Sequence, residues 1–182
     1  TAVPLEVAPG AVAARTPVQG FEGLGPAGEP FGGGFLRSAT GNTVTLTLSG
    51  LPAHRSLSLG FLFAAIDSLD GAGSFPAGDY FKITLDGETI FREAFANAVT
   101  SQVQTYLPPP GVELARWQDL GFGGPGGYHT DSAYDLAADS RFQLLPHTAP
   151  EAVFTFEIEG AGIQGLDDES WAMDNLRVTS HP

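Results

Sequence analysis

Tyr80-Phe81-Lys82-Ile83-Thr84-Leu85-Asp86-Gly87-Glu88-Thr89-Ile90-Phe91 alternates apolar and polar residues as far as Leu85, breaks at Asp86-Gly87, and resumes as an extended run. Side chains of a strand alternate between its two faces, so Phe81, Ile83 and Leu85 line one side. Asp-Gly suits a two-residue reversal, because both central residues of such a turn need positive φ. The stretch is therefore a β-hairpin with one buried face. Working outward, Val44, Leu46 and Leu48 alternate with Thr43, Thr45 and Thr47, while Phe154, Phe156 and Ile158 alternate with Val153, Thr155, Glu157 and Glu159. Leu57 to Phe63, Val112 to Trp117 and Trp171 to Val178 read as further strands, and Tyr128 to Leu136 is expected to form one helical turn. No long helical period occurs anywhere. Short strands punctuated by glycine and proline define an all-β chain, an antiparallel β-sandwich of about eight to ten strands.

The chain has 182 residues, enough for one sandwich with a sizeable core. Residues 1 to 17 are expected to lie outside that domain, which would span 18 to 182. Val3, Leu5 and Val7 alternate within them, and the segment reads either as a linker or as a strand donated to the sheet of another copy. Eight Lys and Arg against 21 Asp and Glu give a formal charge of −13. That surface repels nucleic acid and anionic lipid and suits divalent cations. No apolar run is long enough to span a bilayer as a helix, and cysteine is absent, which removes disulfides and thiolate chemistry. His54, His129, His147 and His181 are scattered, without an HExxH helix or a GxSxG elbow, so a non-catalytic role is expected.

Two acidic stretches remain. Ile66 to Phe81 carries Asp67, Asp70 and Asp79 among glycines that let backbone carbonyls turn inward, a mixed oxygen set of the kind calcium takes. Near the end, Asp174 falls in phase with Ala172, Leu176 and Val178, which places a carboxylate on the apolar side of the closing strand. Burying that charge needs a partner, and a Ca²⁺ ion would serve. Asp131, Asp135 and Asp168 are further carboxylates within reach of such a site. Trp117, Tyr128 and Tyr134 are candidate platforms for a glycan, since sugar rings pack on aromatic faces flanked by polar groups.

Phe21-Glu22-Gly23 and Trp171-Ala172-Met173-Asp174-Asn175-Leu176-Arg177-Val178 resemble the opening and closing strands of galactose-binding-like jelly rolls, which include carbohydrate-binding modules and MAM-type adhesion domains. The resemblance implies a jelly roll in which an acid of the first strand and an aspartate of the last share a structural calcium, here Glu22 and Asp174. Ile66-Asp67-Ser68, Asp70-Gly71, Gly121-Phe122-Gly123-Gly124, Asp131-Ser132 with Tyr134-Asp135, and Asp168-Glu169-Ser170-Trp171 together resemble a group of bacterial secreted and surface proteins. These likenesses imply a secreted or cell-surface calcium-binding module for recognition or adhesion, with a glycan or matrix polymer as partner. The alternative is a fibre subunit whose partner is a further copy of itself.

Overall fold

The computed structural model describes the backbone of residues 5–7 and 12–14, and residues 21–73, 78–123 and 128–182 in full. Twelve strands occur in it: β1 (Leu5–Val7), β2 (Val12–Ala14), β3 (Phe35–Ala39), β4 (Val44–Ser49), β5 (Ser56–Asp67), β6 (Tyr80–Leu85), β7 (Glu88–Ala94), β8 (Glu113–Gln118), β9 (Asp131–Asp135), β10 (Leu145–Pro146), β11 (Glu151–Glu159) and β12 (Glu169–His181). They form two antiparallel sheets, one ordered β1-β4-β11-β6-β7 and the other β2-β3-β12-β5-β9-β8 with β10 on β5. This is a β-sandwich of jelly-roll type.

The period-2 pattern sets which face is inside. Phe81, Ile83, Leu85, Phe154, Phe156 and Ile158 from the first sheet meet Leu59, Phe61, Phe63, Trp171 and Met173 from the second in one core. The solvent face of the first sheet carries Glu157 and Glu159, which are ion-paired with Lys82 and Arg92.

The second sheet is covered on both sides, which a half-buried strand pattern does not anticipate. Leu62, Ala64, Ile66 and Ala172 point away from the main core into a second cluster with Phe21, Phe31, Phe35 and Phe122. β5 is accordingly buried along almost its whole length. Phe122 is the hub of that layer, with ring centroids 4.8, 4.9 and 5.3 Å from Phe21, Phe31 and Phe35.

Two sequence expectations are corrected here, and the N-terminal segment is placed. Asp131–Asp135 is a strand rather than a helical turn, because pairing with β5 satisfies its backbone (Ala64↔Ala133, Phe63↔Tyr134); the helical geometry follows it as two 3₁₀ turns, Leu136–Ala138 and Ser140–Phe142. Leu5 and Val7 pair with Leu46 and Val44 of the chain's own β4, and Val3 lies outside the described residues. The phase of β12 changes at a bulge between Asp174 and Arg177, where Asn175 adopts φ 54°. An extra residue in one strand inverts the faces beyond it. Asp174 therefore shares the outer face with Ala172, whereas Leu176 and Val178 pack on the main core.

Candidate metal centre

The inward phase of two strands delivers acid to one end of the core. Along β12, Glu169 precedes Trp171 and Met173 by one and two alternations, so it points between the sheets as they do. Along β6, Asp79 precedes Phe81, Ile83 and Leu85 in the same way. Both carboxylates are fully buried, with 0% exposure. Asp70, in the turn after β5, completes a cluster in which one oxygen from each residue lies within 4.8 Å of the others.

The turn is held by its backbone. Asp70 forms an isolated bridge with Ala96, and the Ala72 amide donates to the Val103 carbonyl at 2.8 Å. Gly71 is obligatory in it: φ is +76°, and a Cβ there would stand 2.2 Å from the Val103 carbonyl oxygen.

Each carboxylate is half provided for. Asp79 Oδ2 accepts from the Asp70 amide at 2.6 Å, Glu169 Oε2 accepts from the Gln164 amide at 2.9 Å, and Asp70 Oδ1 accepts from the Gln102 side-chain amide. Asp79 Oδ1 and Glu169 Oε1 have no partner among the described residues. The charges acting on Glu169 come from Asp79, Asp70 and Asp168, all of its own sign. Burial, then that repulsion, pushes the Glu169 carboxyl up to about 8. Burial likewise raises Asp79 to about 6 and moves Asp70 upward. Such a trio is stable only if it holds a proton or a cation.

The donor set suits a hard cation. All three side chains offer oxygen, and oxygens bound to one calcium ion at about 2.3–2.6 Å can be up to about 5 Å apart, which matches the spacing of the cluster. The residues present thus fit a divalent metal, and the two orphaned oxygens are the atoms that would ligate it.

The other residues singled out in the sequence lie elsewhere. Asp67 accepts from the amides of Tyr128 (3.1 Å) and His129 (2.7 Å), which ties the end of β5 to the loop before β9. Asp174 accepts from the amides of Gly32 (2.9 Å) and Asn175 (2.8 Å) on the outer face, and Glu22 is exposed. Among the described residues, neither joins a group of three potential metal ligands. Asp131 accepts from the amides of Asp67 and Leu120, Asp135 caps the first 3₁₀ turn, and Asp168 accepts from the Ser68 hydroxyl. Glu169 was legible in the sequence as the residue in phase with Trp171 and Met173; the apparent phase of Asp174 drew attention away from it.

Of the three aromatic candidates, Tyr134 is fully buried with its hydroxyl against Gln104, so it cannot present a face to a ligand. Tyr128 is 80% exposed. Trp117 is half-buried at a register shift in β8, has φ 58°, and carries the Arg116 guanidinium 4.4 Å above its ring.

No protein-family model matches this chain, and no curated protein matches it. Among solved structures, it is similar to a family 35 carbohydrate-binding module from Clostridium thermocellum, with 12% identity, a TM-score of 0.38 and 99% of both chains covered. It is also similar to part of the Agl-KA catalytic domain (12% identity, TM-score 0.38) and to part of the catalytic domain of a GH87 alpha-1,3-glucanase in complex with tetrasaccharides (18% identity, TM-score 0.32). In both of these, 99% of this chain spans 28% of the other.

Proposed function

We propose that this chain is a non-catalytic, calcium-binding β-sandwich that acts outside the cell as a recognition or adhesion module, with a glycan or matrix polymer as its partner. The observation that carries the calcium assignment is the pair of orphaned, fully buried oxygens of Asp79 and Glu169 facing a third carboxylate. A water molecule could donate to those oxygens but would leave their charges unopposed. The ion would cross-link the start of β6 in one sheet, the start of β12 in the other and the turn after β5. Its role is structural: it fixes the loops at one end of the sandwich. Calcium is favoured over magnesium because the ligands sit on a turn and two strand ends, a flexible oxygen set, whereas magnesium demands near-ideal octahedral geometry. The acidic surface, at −13 overall, favours cation uptake and disfavours nucleic acid and anionic lipid as partners. The exposed Tyr128 and half-buried Trp117 support the recognition role as sugar-stacking faces near the ends of β9 and β8.

Thermal unfolding in millimolar calcium, in millimolar magnesium and in chelator tests the ion. A rise in Tm with calcium that magnesium reproduces only weakly is expected; identical midpoints in all three would refute the assignment. Retention on insoluble polysaccharides in calcium tests the recognition role, and failure to be retained by any of a broad set would refute it.

A further inference from the structure

The outer face of the second sheet changes character along its length. Above the β12 bulge it lies under the phenylalanine layer of Phe21, Phe31 and Phe122. Below the bulge, β5 and β12 line an open cleft of about 320 Å³ with Ser58, Gly60, Arg177, Thr179 and His181, walled on one side by Ala137 and Gln143. That volume falls at the lower end of the range for small-molecule clefts, about 300–1,000 Å³. Gly60 leaves room on the floor for Ala137 and Arg177 to close over it, since a Cβ there would stand 3.0 Å from Ala137 Cβ and 3.3 Å from Arg177 Nε.

The polar groups there are partly committed and partly free. Ser58 Oγ accepts from the Leu144 amide at 3.1 Å and bonds His181 Nε2 at 2.8 Å, which fixes the imidazole and leaves Nδ1 without a hydrogen-bond partner among the described residues. Gln143 uses its amide nitrogen on the Ala137 carbonyl at 3.0 Å, leaving the amide oxygen to accept. Arg177 bonds Glu29 through Nη1, and its Nε and Nη2 have no partner among the described residues. Thr179 adds an exposed hydroxyl. Donors and acceptors are thus interleaved over one floor, with the single permanent positive charge already matched by Glu29.

This combination selects for hydroxyl-bearing ligands over anions. A vicinal diol offers a donor and an acceptor at each oxygen, which the arginine, glutamine, threonine and histidine groups can meet in pairs. An anion would have to compete with Glu29, and Asp135 also acts on Arg177. We infer that the cleft between Ser58, Gly60, Gln143, Arg177, Thr179 and His181 is the binding site for a short segment of a neutral glycan, separate from the Trp117 and Tyr128 faces. The inference rests on the recognition role proposed above and names the site and sugar class for it.

The test is calorimetric titration, in calcium, of neutral glucan, xylan, mannan and galactan oligosaccharides and of a uronate oligosaccharide into the intact chain, followed by titration of three variants. Thr179→Tyr plugs the cleft from an exposed strand position that tolerates tyrosine. Gln143→Ala removes the acceptor, and Trp117→Ala serves as the control at the other candidate sugar-stacking position. Binding of a neutral sugar that falls tenfold or more in Thr179→Tyr and several-fold in Gln143→Ala, with Tm unchanged, supports the site. Binding that survives Thr179→Tyr but is lost in Trp117→Ala overturns the cleft and leaves the recognition role standing. Preference for the uronate overturns the neutral class. No binding of any sugar by the unaltered chain overturns both.

Discussion

Two pairs of buried acids lie at the same end of this sandwich and are treated in opposite ways. Asp67 and Asp131 are 5% and 4% exposed, and each of their four carboxylate oxygens accepts from a backbone amide: Tyr128 and His129 for Asp67, Asp67 and Leu120 for Asp131. Asp79 and Glu169 are more deeply buried, yet each has one oxygen with a backbone donor and one with none among the described residues. The first pair is complete within the chain and ties the end of β5 to the connection between β8 and β9. The second is incomplete without something from solvent. Acidity and burial do not separate a structural carboxylate from a ligand; the count of satisfied oxygens does.

The comparison breaks most visibly at Asp131. Asp131→Asn places an amide N–H against one of two backbone donors, so it should cost about 3 kcal/mol. That corresponds to a fall in Tm of roughly 6–12 °C for a chain of this size, and it should be the same in calcium and in chelator. A calcium-dependent loss would mean that the two pairs are one site.

The ion itself comes next. At about one hundred times its dissociation constant, calcium should add about 2.7 kcal/mol, roughly 5–10 °C in Tm, and chelator should reverse the gain.

The pH response separates the pairs through Glu169, since burial also raises Asp131 to about 6 and moves Asp67 upward. The folded Glu169 carboxyl holds its proton up to about 8, against an ordinary value of 4.5, and Asp79 up to about 6, against 3.8. A raised carboxyl binds protons more tightly in the folded chain than in the unfolded one. Cation-free protein should therefore lose stability as pH rises from the ordinary carboxylate range to about 8, by at least about 1.4 kcal/mol. With calcium bound, the ionised form is the favoured one, and that decline should flatten. Urea denaturation at pH 5 and pH 8, with and without the ion, reads both slopes.

Asp174 gives the smallest effect. Its two amide partners lie at the surface, so Asp174→Asn should cost about 1 kcal/mol and leave the calcium-induced rise in Tm intact.

The sandwich was legible because the sequences of β4, β6 and β11 alternate between apolar and polar residues. β5 and β9 were harder, because a strand covered on both sides loses its alternation, and Ser132-Ala133-Tyr134 carries no periodic signal at all. The metal centre was half legible. Asp70 and Asp79 lay in a turn-rich acidic loop, and Glu169 lay one alternation before Trp171. What hid Glu169 was the bulge at Asn175: read without it, β12 places Asp174 with Leu176 and Val178, and the inward acid appears to be the wrong one. A one-residue insertion in a strand is invisible to a period-2 reading unless a glycine or a turn dipeptide marks it, and Asn175-Leu176 is no such mark. The fates of Asp67 and Asp131 were likewise out of reach, because their partners are backbone amides up to 64 residues away.

The central claim is that Asp79, Glu169 and Asp70 form a cation site, and calorimetric titration of calcium into the cation-free chain and its Glu169→Gln variant at pH 7.5 tests it most directly. The account predicts uptake of one ion by the unaltered chain and none by the variant. The variant should also unfold at a higher temperature than the unaltered chain in chelator, since its glutamine neither takes up a proton on folding nor bears a charge beside Asp70 and Asp79. Equal calcium uptake by the two proteins, or no uptake by the unaltered chain, would contradict it.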